Sequence, residues 1–315
     1  MCMSPKLLPL LLFFSVSVPL AAQEFVCSGY EPPARQADAS AKAAILKPSR
    51  GNTHVLVVYA KFKDEDPQNQ TSPTFAQQIF DDNLPGSFSH FYREMSGGQF
   101  TVSGTVLSKR YSSDRPASAY LETNPREFGR YDEFITEILT KVDRDVDLGQ
   151  FDNDGPDGIA NSSDDDSTVD YIFINTLSTP RGFIIGGATG IANLGSISYQ
   201  STDANARGGR IMIGGSIRHG ALQQEGNFAQ TVGSMAHEFG HHLGLADLYD
   251  LAYDTPEEDS AGIGRWGLMG WGAHGWNGQD GPVPFSAWSL EQLGWIGLDN
   301  SSLVEVDADA SGLEV

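Results

Sequence analysis

Two histidines one helical turn apart, His237 and His241, constrain the fold of this chain more than any other feature of its sequence. Apolar side chains recur at helical spacing from about Asn227 onward and lead into this pair. Gly244 follows directly, as a glycine often does where a helix ends. Because residues four apart on a helix lie on one face, the sequence predicts a helix that presents both imidazoles to one point and then stops.

Glu238 lies between the histidines and completes a His-Glu-x-x-His pattern, which is typical of zinc-dependent hydrolases. A catalytic zinc ion takes three protein ligands and leaves a fourth position for water. The glycine after the helix lets the chain turn back, so Asp247 is the predicted third ligand. Its offset from His241 equals that of the third histidine in a longer version of the motif. Glu291 and Asp250 are the alternatives for this ligand.

The histidine segment belongs to a longer stretch with a family likeness. Residues 237–250, HEFGHHLGLADLYD, resemble the signature of the immune inhibitor A family of secreted zinc metallopeptidases. The likeness extends to FSHFYREMSGGQFTVSG at 88–104, to an aspartate-rich loop, to a methionine turn candidate at Met269 and to AWSLEQLGW at 287–295. It therefore covers roughly residues 55–297.

The resemblance implies an α+β, metzincin-like zinc peptidase fold. Such a fold has a twisted sheet with a backing helix and an active-site helix, and a smaller C-terminal part below the cleft. It further implies Zn²⁺ as cofactor, protein or peptide substrates, and hydrolysis of peptide bonds by a zinc-bound water with Glu238 as general base. The expected organisation is a signal peptide at 1–22, a linker or short pro-segment at 23–53, the catalytic domain at 54–298, and the start of a C-terminal region or tail at 299–315.

The expected fold elements follow from apolar patterning. Residues 55–62 are almost continuously apolar, which predicts a strand that is covered on both faces. Residues 128–142 repeat apolar side chains at helical spacing, and Phe128 is expected on the buried face of this helix. The other predicted elements are a helix at 88–95 and strands at 100–106, 171–175 and 210–213.

Charge and the first residues of the chain indicate its environment. Forty-one acidic residues against 20 basic ones give a net charge of -21, which disfavours nucleic acid and anionic membranes as partners. Lys6 precedes an apolar run at 7–20 that ends at Ala21 and Ala22, a pattern typical of a secretory signal peptide. We therefore expect a secreted, extracellular protein without membrane insertion.

Cys27 would be the only thiol of the exported protein, because Cys2 lies in the expected signal peptide. No internal disulfide can then form. The thiol is either free or a partner for a cysteine outside this chain, or its thiolate caps the zinc ion in a latent form, since zinc binds thiolates well. The sequence leaves these alternatives open.

An aspartate-dense loop occupies residues 143–170 and holds ten aspartates. Carboxylates alternating with glycines suit calcium, which takes six to eight oxygen ligands. The alternative is a solvated acidic loop without a cation. The candidate calcium ligands are Asp152, Asp154, Asp157, Asp164, Asp166 and Asp170.

A function of another class also fits these features. The chain could be a calcium-dependent extracellular binding or adhesion module in which the zinc site is vestigial. The presence of Glu238 argues against this alternative, because a site that no longer catalyses has no need of its base.

Overall fold

The computed structural model describes Cys27 and residues 49–124, 127–185, 187–250 and 260–304. The expected signal peptide lies outside these residues, as do most of the expected pro-segment and the last part of the expected tail. Within the described part of the chain, no helix is both long enough and apolar enough to cross a membrane.

Seven strands and four helices make up the regular structure of the described residues. The strands are β1 (Gly51–Lys61), β2 (Phe100–Ser112), β3 (Ile172–Thr176), β4 (Gly190–Ile191), β5 (Ser198–Ala204), β6 (Arg210–Gly214) and β7 (Gly220–Gln224). The helices are α1 (Phe88–Met95), α2 (Tyr131–Val142), α3 (Phe228–His242) and α4 (Ala287–Leu293).

The main sheet has the strand order β2-β1-β3-β7-β4, and β5 and β6 form a separate pair. β1 pairs in parallel with β2 and β3, and β3 pairs in parallel with β7. Only β4, at one edge, runs antiparallel to its neighbour. The chain therefore has a mixed α+β architecture with a twisted, mostly parallel sheet and few helices.

Strand β1 is buried on both faces, as its apolar sequence predicted. Val55, Val57 and Tyr59 belong to one apolar cluster, and the alternate residues Leu56 and Val58 belong to a second. The strand starts earlier than predicted, since β2 already pairs with it at Gly51. Its first two residues are exposed, so apolar patterning could not reveal them.

The second cluster covers the face of the sheet on which α2 packs. The prediction that Phe128 belongs to the buried face of this helix is wrong, because α2 begins at Tyr131 and Phe128 is 49 % exposed. Gly129 explains the late start. A side chain there would lie 2.5 Å or less from the carbonyl oxygens of Tyr120 and Gly182, so the chain passes through a close backbone contact before it enters the helix.

The first cluster lies on the opposite face, where α1, α3 and part of the C-terminal chain meet. Helix α3 begins with a capping box. Asn227 Oδ1 accepts a hydrogen bond from the backbone N–H of Gln230 at 2.9 Å, and Gln230 Oε1 accepts one from the backbone N–H of Asn227 at 3.1 Å. Gly244 follows the helix with φ of 91°, a left-handed conformation that suits glycine. The predicted helix and its stop at Gly244 are therefore confirmed.

One face of α3 carries two glycines that admit a neighbouring loop. A Cβ at Gly233 would lie 1.8 Å from the carbonyl oxygen of Ala273, and one at Gly240 would lie 2.5 Å from Met269 Sδ. The two positions are two helical turns apart and so share a face. Their lack of side chains lets the loop that contains Met269 pack directly against the helix that carries His237 and His241.

We predict that Gly233→Ala destabilises the protein by about 1–3 kcal/mol, the usual cost of overpacking, because a backbone carbonyl cannot move aside. Gly240→Ala should cost less, since the end of the flexible Met269 side chain can shift. Urea unfolding of both variants checks this. Stabilisation of Gly233→Ala, by the roughly 1 kcal/mol that alanine gains over glycine in an open helix, would show that the contact is not tight.

Candidate metal centre

The imidazoles of His237 and His241 converge at the end of α3. Their ring centroids are 4.9 Å apart, and both side chains are buried. His237 Nδ1 lies 2.8 Å from the carbonyl oxygen of Leu268, and His241 Nδ1 lies 2.9 Å from that of Leu245. Because a carbonyl oxygen only accepts, each Nδ1 carries the donated proton. Each Nε2 is thereby the nitrogen that can bind a metal ion.

Asp247 brings a carboxylate to the same point. Its Oδ1 lies 3.0 Å from His237 Nε2 and 3.5 Å from His241 Nε2, and its side chain is fully buried. Nitrogen and oxygen ligands of one tetrahedral zinc ion lie about 3.4 Å apart, given bond lengths of about 2.0–2.2 Å. The three groups that the sequence singled out as ligands therefore lie together at spacings that suit one zinc ion.

Cys27 is the fourth member of this cluster. Single ligand atoms of Cys27, His237, His241 and Asp247 all lie within 4.8 Å of one another. Cys27 comes from the far N-terminal part of the chain and is 1 % exposed. Two imidazoles, a carboxylate and a thiol form a donor set that suits zinc better than calcium or magnesium, which prefer oxygen.

Glu238 lies beside these four groups and is itself fully buried. Its Oε1 has no hydrogen-bond partner among the described residues, and its Oε2 accepts from Cys27 Sγ at 3.4 Å. Burial raises the pKa of Glu238 to about 7, against the opposing effect of the two histidines. A buried acceptor without a partner, beside three metal-ligand groups, fits a place where a polar reactant binds.

The ligand groups are strongly coupled through their charges. Burial opposes protonation of His241, but the Asp247 carboxylate outweighs it and raises the pKa of His241 to about 9. Burial also opposes ionisation of Asp247, yet the two imidazoles hold the pKa of this carboxyl far below its usual range. Without a metal ion, His241 and Asp247 thus form an imidazolium–carboxylate pair. Since a histidine ligand must be neutral, metal binding has to displace this proton.

The loop around Met269 lies directly against the site. It supplies the Leu268 carbonyl that orients His237, and the Met269 carbonyl accepts from the backbone N–H of Leu248, the residue after Asp247. One loop therefore holds both the His237 imidazole and the chain next to the Asp247 carboxylate. The sequence predicted a turn at Met269. It carries no signal for the hydrogen bond between the Leu268 carbonyl and His237, because a residue of any type has such a carbonyl.

The alternative carboxylates lie apart from this cluster. Glu291 on α4 and Asp250 are both exposed, and neither belongs to the group of four. His242, the third histidine of the segment, packs against the rings of Tyr171 and Phe239 with centroids 4.5 and 4.8 Å away. Asp247 is thus the carboxylate that the structure brings to the histidines.

The aspartate loop forms a second cluster of carboxylates. Ligand atoms of Asp152, Asp154 and Asp165 lie within 4.8 Å of one another. Asp152 is 1 % exposed, and its Oδ1 has no hydrogen-bond partner within the described part of the chain. Burial and then the neighbouring carboxylates, Asp165 first, raise the pKa of Asp152 to about 7. Sequence reasoning missed Asp165, since spacing alone cannot choose among three consecutive aspartates.

The other candidate calcium ligands hold the loop through backbone contacts. Asp164 accepts from the N–H of Asp157 at 3.2 Å, and both residues are exposed. Asp166 is exposed and accepts from the N–H of Thr168, whereas Asp170 is buried and accepts from the N–H of Asn153. These four lie outside the group of three, although Asp166 and Asp170 add to the negative field at Asp152.

A helix that carries His-Glu-x-x-His, a buried carboxylate beside the two histidines and a mostly parallel sheet behind them are the features of a metallopeptidase catalytic domain. A family model described as immune inhibitor A peptidase M6, catalytic domain, matches residues 51–296. The chain therefore belongs to the immune inhibitor A family of M6 peptidases, as its sequence motifs indicated.

Two curated relatives illustrate this membership. The chain is 28 % identical over 299 residues to Immune inhibitor A of Bacillus thuringiensis subsp. alesti, a match that covers 80 % of this chain and 41 % of the relative. It is 27 % identical over 246 residues to the Pre-pro-metalloprotease PrtV of Vibrio cholerae serotype O1, covering 70 % of this chain and 26 % of the relative. The chain thus spans less than half the length of these relatives.

We predict that Asp247→Ala lowers zinc affinity by more than the roughly 10- to 100-fold that loss of a hydrogen-bonded neighbour of a ligand costs. The exposed Glu291 offers a matched control, and Glu291→Ala should keep its zinc. The measurement is the zinc content of both variants after dialysis against a weak chelator. Zinc retained by the first variant and lost by the second would move the ligand role to Glu291.

Proposed function

We propose that the chain is a secreted zinc-dependent endopeptidase with a metzincin-like catalytic domain. One observation carries the proposal: His237, His241 and Asp247 converge within ligand distance of one another, beside the buried Glu238. Family membership supports the metallopeptidase class. The identity of the metal as zinc rests on the nitrogen-rich donor set.

The chemistry divides between the metal and the protein. Zinc, when bound by His237, His241 and Asp247, would lower the pKa of a water molecule from about 15.7 toward 7 and polarise the scissile carbonyl. Glu238 takes a proton from the attacking water and delivers it to the leaving amine. Without a metal ion, burial raises the pKa of Glu238 to about 7, and a carboxylate of raised pKa accepts a proton more readily than an exposed one.

The protein supplies orientation as well. Hydrogen bonds to the Leu268 and Leu245 carbonyls hold both imidazoles with Nε2 toward the common point. β4 is an edge strand that contacts α3, the helix of the two histidines, and an extended peptide can pair with the backbone of such an edge. Protein or peptide substrates therefore fit this proposal.

Export is part of the proposal and rests on the N-terminal sequence pattern. The alternative, a calcium-dependent adhesion module with a vestigial zinc site, is not favoured. All three ligand groups and the glutamate are present and lie together in the fold.

We predict that Glu238→Gln keeps zinc and the fold but lowers peptide hydrolysis by about 10²- to 10⁴-fold, the usual contribution of a general base. Glu291→Gln, which changes an exposed glutamate on α4 in the same way, is the control and should change neither property. Casein digestion and zinc content are measured side by side. Where the wild type digests casein measurably, digestion by Glu238→Gln at the same rate would refute the assigned mechanism.

We further infer that the aspartate loop binds Ca²⁺ through Asp152, Asp154 and Asp165. Three carboxylates this close repel one another, and burial first, followed by this repulsion, raises the pKa of Asp152. The partnerless Oδ1 of Asp152 supports a cation at this point, because a buried acceptor needs a donor or an ion. Asp157, Asp164, Asp166 and Asp170 stay candidates for further ligands.

We predict that millimolar calcium raises the melting temperature of the wild type by several degrees, since binding at about 100-fold above Kd adds about 2.7 kcal/mol to stability. Asp152→Asn should lose this response. In chelator it should be at least as stable as the wild type, because one repelling charge is gone. Asp157→Asn, at an exposed position of the same loop, is the control. An unchanged wild-type melting curve would contradict the inference.

A further inference from the structure

We propose that the Cys27 thiolate is the fourth zinc ligand and holds the intact chain in a latent state. The proposal rests on the proposed zinc site and adds a mode of regulation to it. It assigns to a residue from the N-terminal part of the chain the position that a catalytic zinc site otherwise leaves open for water.

The distances support a ligand role for the sulfur. With bond lengths of about 2.3 Å to sulfur and about 2.0–2.1 Å to nitrogen, two ligands of one tetrahedral zinc ion lie about 3.6 Å apart. Cys27 Sγ lies 3.6 Å from His241 Nε2. The sulfur therefore lies at the expected spacing from His241 and within 4.8 Å of the ligand atoms of His237 and Asp247.

The same sulfur also occupies the place of the reactant. A water molecule that Glu238 activates must lie within hydrogen-bond reach of its carboxylate and next to the ligand atoms. Cys27 Sγ meets both conditions, at 3.4 Å from Glu238 Oε2 and in the group of four ligand atoms. Water and the thiol thus compete for one position.

The backbone of Cys27 provides an independent observation. Cys27 forms a parallel bridge with Gly190, which belongs to β4. β4 is the edge of the main sheet, and its other side is taken by β7. The backbone of Cys27 therefore pairs with the sheet edge at which a substrate backbone would pair, while its side chain lies at the metal position. One residue blocks both substrate binding and the attacking water.

Latency follows from these two contacts. Cys27 must leave before water can reach Glu238 and before a peptide can pair with β4. At 1 % exposure the thiol is also shielded from reagents while it stays in place. A thiol with a packing role only would show the same burial, so the test has to detect a bond between sulfur and metal.

The first experiment uses the full chain with Co²⁺ in place of zinc. A thiolate ligand gives a cobalt protein an intense near-ultraviolet charge-transfer absorption that nitrogen and oxygen ligands do not give. We expect this band in the wild type and in Cys2→Ser, the matched control for the only other cysteine. We expect Cys27→Ser to bind cobalt without the band. Cobalt bound to the wild type without the band, or the band retained in Cys27→Ser, would overturn the proposal.

The second experiment measures thiol protection and needs no variant at the site. In the Cys2→Ser background, alkylation of Cys27 should be at least about tenfold slower with zinc than after chelation, since reaction requires the fraction of molecules in which the thiol is released. Equal alkylation rates with and without zinc would contradict a zinc–sulfur bond. This readout stands even if substitution of Cys27 impairs folding.

The third experiment links the ligand to activity and separates this proposal from the proposed function. Cys27→Ala should digest casein at least about tenfold faster than the wild type, and Glu238→Gln in the Cys27→Ala background should abolish the gain. A wild type as active as Cys27→Ala would overturn latency and leave the peptidase function intact. An inactive Cys27→Ala, with the cobalt band present in the wild type, would refute the peptidase function but keep Cys27 as a ligand.

Discussion

The contact between α3 and the loop around Met269 determines the geometry of the metal centre. Gly233 and Gly240 keep one face of the helix free of side chains, so that the loop backbone can lie against it. The loop can then offer the Leu268 carbonyl to His237 Nδ1 at 2.8 Å. An imidazole fixed in this way has only Nε2 left for a metal ion, and the chain beside Asp247 is held by the same loop.

Without a metal ion, the buried ionisable groups of this centre lower the stability of the fold. Glu238, His241 and Asp247 are all removed from water, and a buried charge is tolerated only when it is paired. In the metal-free state the His241–Asp247 pair meets part of this requirement, while Glu238 has an oxygen without a partner in the described part of the chain. A bound cation relieves both conditions, so metal affinity and fold stability are linked through these side chains.

The sequence revealed those parts of the site that depend on neighbours along the chain. Helical spacing and Gly244 sufficed to place His237 and His241 on one face and to turn Asp247 toward them. What it missed depends on distant contacts. β7 lies between β3 and β4 in the sheet, yet its sequence contains two glutamines. The buried Gln223 donates a hydrogen bond to Asn175 on β3. No local pattern distinguishes such a strand from a polar loop.

Cys27 is the extreme case of this limit, since 211 positions separate it from Glu238 and its bridge to Gly190 at the edge of the sheet places it beside the site. The covalent link between Cys27 and the rest of the chain also determines how its thiol competes with a substrate for the metal position. A ligand tethered to its own site acts at an effective concentration in the range of about millimolar, far above that of most protein substrates in solution. A substrate therefore cannot displace Cys27 by mass action alone. Under the proposed latency, release therefore requires that the segment linking Cys27 to the catalytic domain be cut or drawn away.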